Sequence, residues 1–190
     1  MSQLPSQSVT AVPAEYSPDE RVLLLHLAHR AIHARLHGQA LDLTPPTPHL
    51  ALERGAFTTL HHHGQLRGCI GYVLPVNSLY KTIAETAVAA AFEDPRFTPV
   101  TANEAWELKI EISVMSPLFP ISPHEVEVGK HGLLVSFEQW RGLLLPQVPL
   151  EHGWDAETFL NETCRKARLP LDAWRHGAVL EAFTAEVFAE

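Results

Sequence analysis

Cys69 is the residue whose type and neighbours come closest to a chemical site. It stands in the run Leu66-Arg67-Gly68-Cys69-Ile70-Gly71. A thiolate is a strong nucleophile, and glycines beside it leave room for a ligand or another backbone to come close. Arg67 lies two residues before Cys69, so strand alternation would put both on one face. Its guanidinium is a planar donor suited to carboxylate or phosphate. A nucleophile also needs a base, and no neighbour in the sequence supplies one. Cys69 therefore reads as a nucleophile, as a wall of a site without a covalent role, or as a small buried hydrophobe.

Other polar residues could join it. Glu111 and Ser113 alternate with Leu108, Ile110, Ile112 and Val114. If that polar face lines a site, Glu111 is the carboxylate base; otherwise the face is solvated. Asp94 and Arg96 flank Pro95, either as a rigid corner or as a loop carrying an Arg to a binding edge. Gln147 follows Leu143-Leu144-Leu145-Pro146 and could bond a ligand or buried backbone. His152, before Gly153-Trp154-Asp155, reads as a mobile acid/base or as a loop histidine. Gly68, Gly71, Arg67, Asp94, Arg96, Gln147 and His152 form the candidate binding set, with Cys69 and Glu111 as candidate catalytic residues. The second cysteine, Cys164, sits at helical spacing from Leu160 and reads as core.

Twelve histidines invite a metal reading. His26, His29, His33 and His37 step by three, four and four residues and form one helical stripe. That stripe holds no carboxylate, and no His-Glu-x-x-His motif is present, so it reads as a solvated face. His61, His62 and His63 read as a polar hairpin turn. Either cluster is compatible with nickel or zinc capture in vitro. No resident metal or cofactor is expected. A net charge of −8 disfavours nucleic acid, which demands a basic surface. No apolar stretch approaches the roughly 20 residues of a spanning helix. With neither a signal-like N-terminus nor a cysteine framework, the expected address is the cytoplasm.

The positioning elements are legible. Hydrophobic content of 46% supports a core. Residues 1–16 read as a flexible tail, and 17–190 as a single domain. Ser17, Pro18 and Glu20 announce a helix that Gly38 ends. Strands are expected at 56–60 and 66–73 around the histidine turn. Ser78 caps an alanine-rich helix ending at Asp94-Pro95. Residues 107–115 form the clearest strand. A second hairpin joins 132–137 to 142–145 through Glu138-Gln139-Trp140-Arg141, Asp155 caps a third helix, and 182–188 is a final strand. Hairpins without regular strand–helix alternation indicate an α+β fold with a mainly antiparallel sheet and flanking helices.

The Leu66–Gly71 hexapeptide resembles the signature of the AMMECR domain family, called AmmeMemoRadiSam system protein A in microbes. Ala89-Ala90-Ala91-Phe92-Glu93-Asp94-Pro95-Arg96-Phe97-Thr98-Pro99, Ile110-Glu111-Ile112-Ser113-Val114 and Leu144-Leu145-Pro146-Gln147-Val148 are similar to further blocks in the same order, as are Phe159-Leu160 and Cys164-Arg165-Lys166-Ala167. Arg168 departs from the pattern, standing where the family carries glycine. The resemblance implies two lobes with a cleft between them. It also implies two partners, a Memo-like protein and a radical S-adenosylmethionine enzyme. Two functions fit: an enzyme or enzyme component acting on a small polar or anionic molecule in the cleft, and a non-catalytic module that docks onto those partners. Trp140 and Trp154 are candidate partner-facing aromatics for the second, or else core residues.

Overall fold

The computed structural model describes residues 14–190. Most of the stretch read as a tail, residues 1–13, lies outside the described residues. Tyr16, at its end, is buried in the core, and the Glu15 backbone N–H donates to Glu186 Oε2 at 2.6 Å.

Helix α1 (Pro18–Leu36) begins with a complete capping box: Ser17 and Glu20 satisfy each other's backbone N–H groups. It ends at Gly38, whose φ of 62° suits a residue without Cβ. Strands β1 (Ala56–His62) and β2 (Gln65–Tyr72) form the first hairpin. The turn is shorter than the four residues expected. His61 and His62 belong to β1, and only His63 and Gly64 turn, both at positive φ (51° and 75°), the geometry of a tight two-residue hairpin loop. Helix α2 (Leu79–Phe92) is capped by Ser78. A one-turn helix, α3 (Ala102–Ala105), carries its own capping box from Thr101 and Glu104, a signal the sequence reading passed over. Strand β3 (Leu108–Met115) follows.

The second lobe contains β4 (Phe119–Pro120), β5 (Gly132–Phe137), β6 (Trp140–Leu144), α4 (Val148–His152), α5 (Ala156–Lys166) and β7 (Val179–Phe183). The β5–β6 turn is Glu138-Gln139 alone, with Glu138 at φ 52°; Trp140 and Arg141 already belong to β6. The single final strand expected at 182–188 is two strands. β7 ends at Phe183, and β8 (Ala185–Ala189) begins after Thr184 and enters the other sheet. Apolar character continues through the crossing, so composition gives no sign of the break.

Two four-stranded antiparallel sheets result, ordered β2-β1-β3-β8 and β4-β7-β5-β6. Each has its own core. In the first, Ala56, Leu60, Ile110, Ile112, Val114 and Phe188 face α1 and α2. In the second, Leu133, Val135, Leu180 and Ala182 pack with Phe159, Leu160 and Cys164 of α5. The chain passes between lobes beside Ser116 and Thr184, where the Ser116 N–H donates to the Thr184 carbonyl and the Thr184 N–H to Ser116 Oγ, both at 2.9 Å. Arg168 occupies the left-handed position after α5 at φ 59°, a conformation that glycine adopts without Cβ strain.

The α1 histidine stripe is less solvated than its periodicity suggests. His26 and His37 are exposed, but His29 Nε2 lies 2.7 Å from Glu190 Oε1 and His33 packs on Trp106 with ring centroids 4.1 Å apart. Both partners come from distant sequence, out of reach of a helical-phase argument.

Candidate functional site

The first sheet has two faces. One is filled by the helices. The other presents Phe57, Thr59, Cys69, Glu111, Ser113, Met115, Ala185 and Val187 to a cleft of about 440 Å³. Gly129, Leu145, Pro146, Gln147 and Leu150 of the second lobe form the opposite wall. Strand alternation creates this division: residues that alternate with the buried Leu60, Ile110 and Ile112 must point the other way.

Register lines up the central polar row. Cys69 pairs with Thr59, and Thr59 pairs with Glu111, so the three side chains stand abreast on β2, β1 and β3. The Thr59 hydroxyl donates to Cys69 Sγ at 3.3 Å. Cys69 is half-buried. Glu111 lies two strand spacings away, roughly 9.6 Å along the sheet. The Glu111 side chain makes no hydrogen bond or ion pair among the described residues, and none of their histidines lines the cleft. Gln147 stands at the start of α4 without capping it, so its exposed amide remains open to the cleft.

Arg67 is diverted from this face. Leu60 pairs with Gly68 but His61 pairs with Leu66, leaving Arg67 as the extra residue of a β-bulge. Its guanidinium forks onto Glu104, with Nε 3.0 Å from Oε1 and Nη2 3.4 Å from Oε2. This fork, with hydrogen bonds from Thr101, holds the Glu104 carboxyl at a pKa of about 2. Alternation between Arg67 and Cys69 therefore fails at one extra residue.

The two glycines are explained by protein neighbours. A Cβ on Gly68 would lie 2.1 Å from the Ala90 carbonyl oxygen, so glycine lets β2 settle onto α2. A Cβ on Gly71 would lie 2.4 Å from Phe57 Cγ, so glycine makes room for the ring.

Asp94 and Arg96 grip the Cys69 backbone from outside the sheet edge. Asp94 is buried; its Oδ2 accepts the Cys69 N–H at 2.9 Å and Arg96 Nη2 at 2.7 Å, while Oδ1 accepts the Arg96 backbone N–H and Nε. The Arg96 hydrogen bonds hold the Asp94 carboxyl well below the usual carboxylate range. This pair occupies the outward N–H of an edge strand, a group otherwise open to another chain. His152 ends α4 and stacks on Trp154 at 4.6 Å, outside the cleft lining. The structure thus brings Cys69, Glu111 and Gln147 to one cleft, sets Gly68, Gly71 and Asp94 behind or beside it, and directs Arg67, Arg96 and His152 elsewhere. Thr59 and Phe57 were missed because their place depends on pairing register.

Among the described residues, His62, His63 and Glu107 form one cluster whose donor atoms could hold a metal, all within 4.8 Å of one another. Among the described residues, no helix is long and apolar enough to cross a membrane.

The AMMECR1 family profile matches residues 25–188. The chain belongs to the AMMECR1 family. Relatives include a protein of Thermococcus gammatolerans, 42% identical over 181 residues and covering 88% of each chain, and one of Methanopyrus kandleri, 42% identical over 184 residues and covering 90% of this chain and 89% of its own. The crystal structure of the uncharacterized protein PH0010 from Pyrococcus horikoshii is similar with a TM-score of 0.70 and 40% identity, covering 88% of this chain and 90% of that one. The overall α+β fold of this chain is thus similar to that of a solved structure.

Proposed function

We propose that the interlobe cleft binds a small molecule with an apolar body and one cationic or hydrogen-bond-donating end, as an enzyme or an enzyme component. The observation that carries this is the charge of the wall. Among the described residues, Glu111 is its one ionisable carboxylate, and no arginine, lysine or histidine lines it. The expectation of an anionic ligand rested on Arg67 and Arg96, and these close onto Glu104 and Asp94. Phe57, Met115, Leu145 and Val187 would hold the apolar body, while Thr59, Ser113 and Gln147 offer hydrogen bonds along its length. The volume falls in the range of small-molecule sites. Glu111 is then the group that binds the donor end and takes its proton in any acid–base step. Cys69 serves as a wall, since its sulfur meets a hydroxyl and not a base.

The family resemblance adds two partners to the proposal, a Memo-like protein and a radical S-adenosylmethionine enzyme, with the cleft's ligand passing among them in the cytoplasm. A docking module without its own ligand is the second reading. Its favouring observation is Trp140, 40% exposed at the start of β6.

Benzylamine, benzyl alcohol and benzoate differ mainly at one end and distinguish these readings by thermal shift and ligand-observed NMR. Benzylamine stabilises the wild type and loses its advantage over benzyl alcohol in Glu111→Gln. Preferential binding of benzoate would overturn the charge argument. Failure of all three to bind, with loss of partner capture in Trp140→Ala, would favour the docking module.

A further inference from the structure

We propose that the tip of the β1–β2 hairpin binds a divalent transition-metal ion of the zinc class through His62, His63 and Glu107. None of these residues lines the cleft, so the proposal stands apart from the reading of that site.

The backbone explains why two adjacent histidines can converge. In a regular strand, neighbouring side chains point to opposite faces. His62 is the last residue of β1, but His63 opens the turn at φ 51°, which swings its ring back beside that of His62. The ring centroids lie 4.0 Å apart. The third group arrives from the neighbouring strand. Leu108 pairs with His62, and Glu107, immediately before it, is anchored by its N–H donating to the Glu104 carbonyl at 2.9 Å. One carboxylate oxygen of Glu107, Oε2, then lies 3.3 Å from His62 Nε2 and 3.2 Å from His63 Nε2.

Those two distances match a coordination sphere. Tetrahedral zinc with bonds of about 2.0–2.1 Å sets neighbouring donor atoms about 3.3 Å apart. The donor atoms of all three residues lie within 4.8 Å of one another, and the exposed His63 ring is the one free to turn toward an ion. Two imidazoles and a carboxylate suit zinc, nickel or copper, and are a poor match for calcium or magnesium, which favour all-oxygen shells. His62 is the shielded ligand, whereas His63 and Glu107 are solvent-facing. An ion can therefore enter freely, with its fourth position open to water or to a ligand. Three protein ligands and one open position describe an exchangeable site, unlike the closed four-ligand spheres of structural zinc. The carboxylate is what the sequence could not supply: it stands 44 positions after His63 in the chain.

The test uses protein without an affinity tag, stripped with a chelator and titrated with Zn²⁺ against a chromophoric indicator. One equivalent is expected to bind. His62→Ala, His63→Ala and Glu107→Gln should each weaken binding at least about ten-fold. The double variant His29→Ala/His33→Ala, which removes the α1 pair of metal-binding spacing, should retain wild-type affinity. Co²⁺ in place of Zn²⁺ should give the intense visible absorption of a four-coordinate site. Chelator-treated His63→Ala and Glu107→Gln should melt with the wild type, because these two side chains face solvent. Wild-type affinity in Glu107→Gln would reduce the site to an incidental histidine pair and overturn the proposal. So would loss of the equivalent in the α1 variant, or no binding by the wild type.

Discussion

The chain has two cysteines, and their surroundings are opposite. Cys164 lies on the apolar side of α5, fully buried with Phe159 and Leu160, and burial pushes its thiol pKa up. Cys69 lies on a strand whose other face already packs against helices, so its side chain meets a hydroxyl, a carboxylate-bearing wall and open space. The periodicity of the element makes the difference. On α5 the cysteine falls in phase with the leucine and phenylalanine; on β2 it falls between Gly68 and Ile70, the positions that face α2. One thiol is packing material, and the other is part of a surface a ligand can reach.

That contrast can be broken at its foundations. The largest effect is expected from Gly68→Ala. The new Cβ would meet backbone, not a flexible side chain, and would push β2 off α2 and tilt Cys69 out of its row. A loss of about 3 kcal/mol is expected by denaturant unfolding, against about 1 kcal/mol for Gly64→Ser, whose Cβ meets no neighbour but stands at a positive φ.

Acid tests the bulge that separates Arg67 from Cys69. The Glu104 carboxyl sits at about 2 in the folded protein, below its ordinary value. Its contribution is therefore complete above pH about 4.5 and drains as pH falls toward 2. Glu104→Gln should cost about 2 kcal/mol at neutral pH and flatten this part of the stability–pH curve. An unchanged curve would show that the fork does not hold the bulge.

Serine substitutions sharpen the comparison of the thiols directly. Cys164→Ser places a hydroxyl in an apolar core and should cost about 1–2 kcal/mol. Cys69→Ser should stay within about 0.5 kcal/mol, since Thr59 and solvent can bond it. One substitution should give a gain: Arg168→Gly should stabilise by about 0.5–1 kcal/mol by relieving the left-handed arginine after α5.

Local signals carried far in this molecule. The Ser17 and Glu20 box, the Ser78 and Asp155 caps and the alternation of 107–115 each rest on neighbours within four residues, and each element formed as read. The candidate site was legible only in part. Glu111 follows from alternation alone. Arg67 does not, because one inserted residue in β2 reverses its direction. Thr59 depends on register between strands, and the crossing at Thr184 depends on which sheet each half of an apolar segment joins. The Glu107 carboxylate beside His62 and His63 likewise needs two strands to be paired before it exists as a group.

Alkylation of the two cysteines reports on the cleft most directly. In the native protein, iodoacetamide should modify Cys69 and leave Cys164 untouched until unfolding. Benzylamine should slow the Cys69 reaction in the wild type, benzoate should not, and the protection should disappear in Glu111→Gln. Modification of Cys69 at the same rate with and without benzylamine, or equal protection by benzoate, would contradict a cleft that selects its ligand through Glu111.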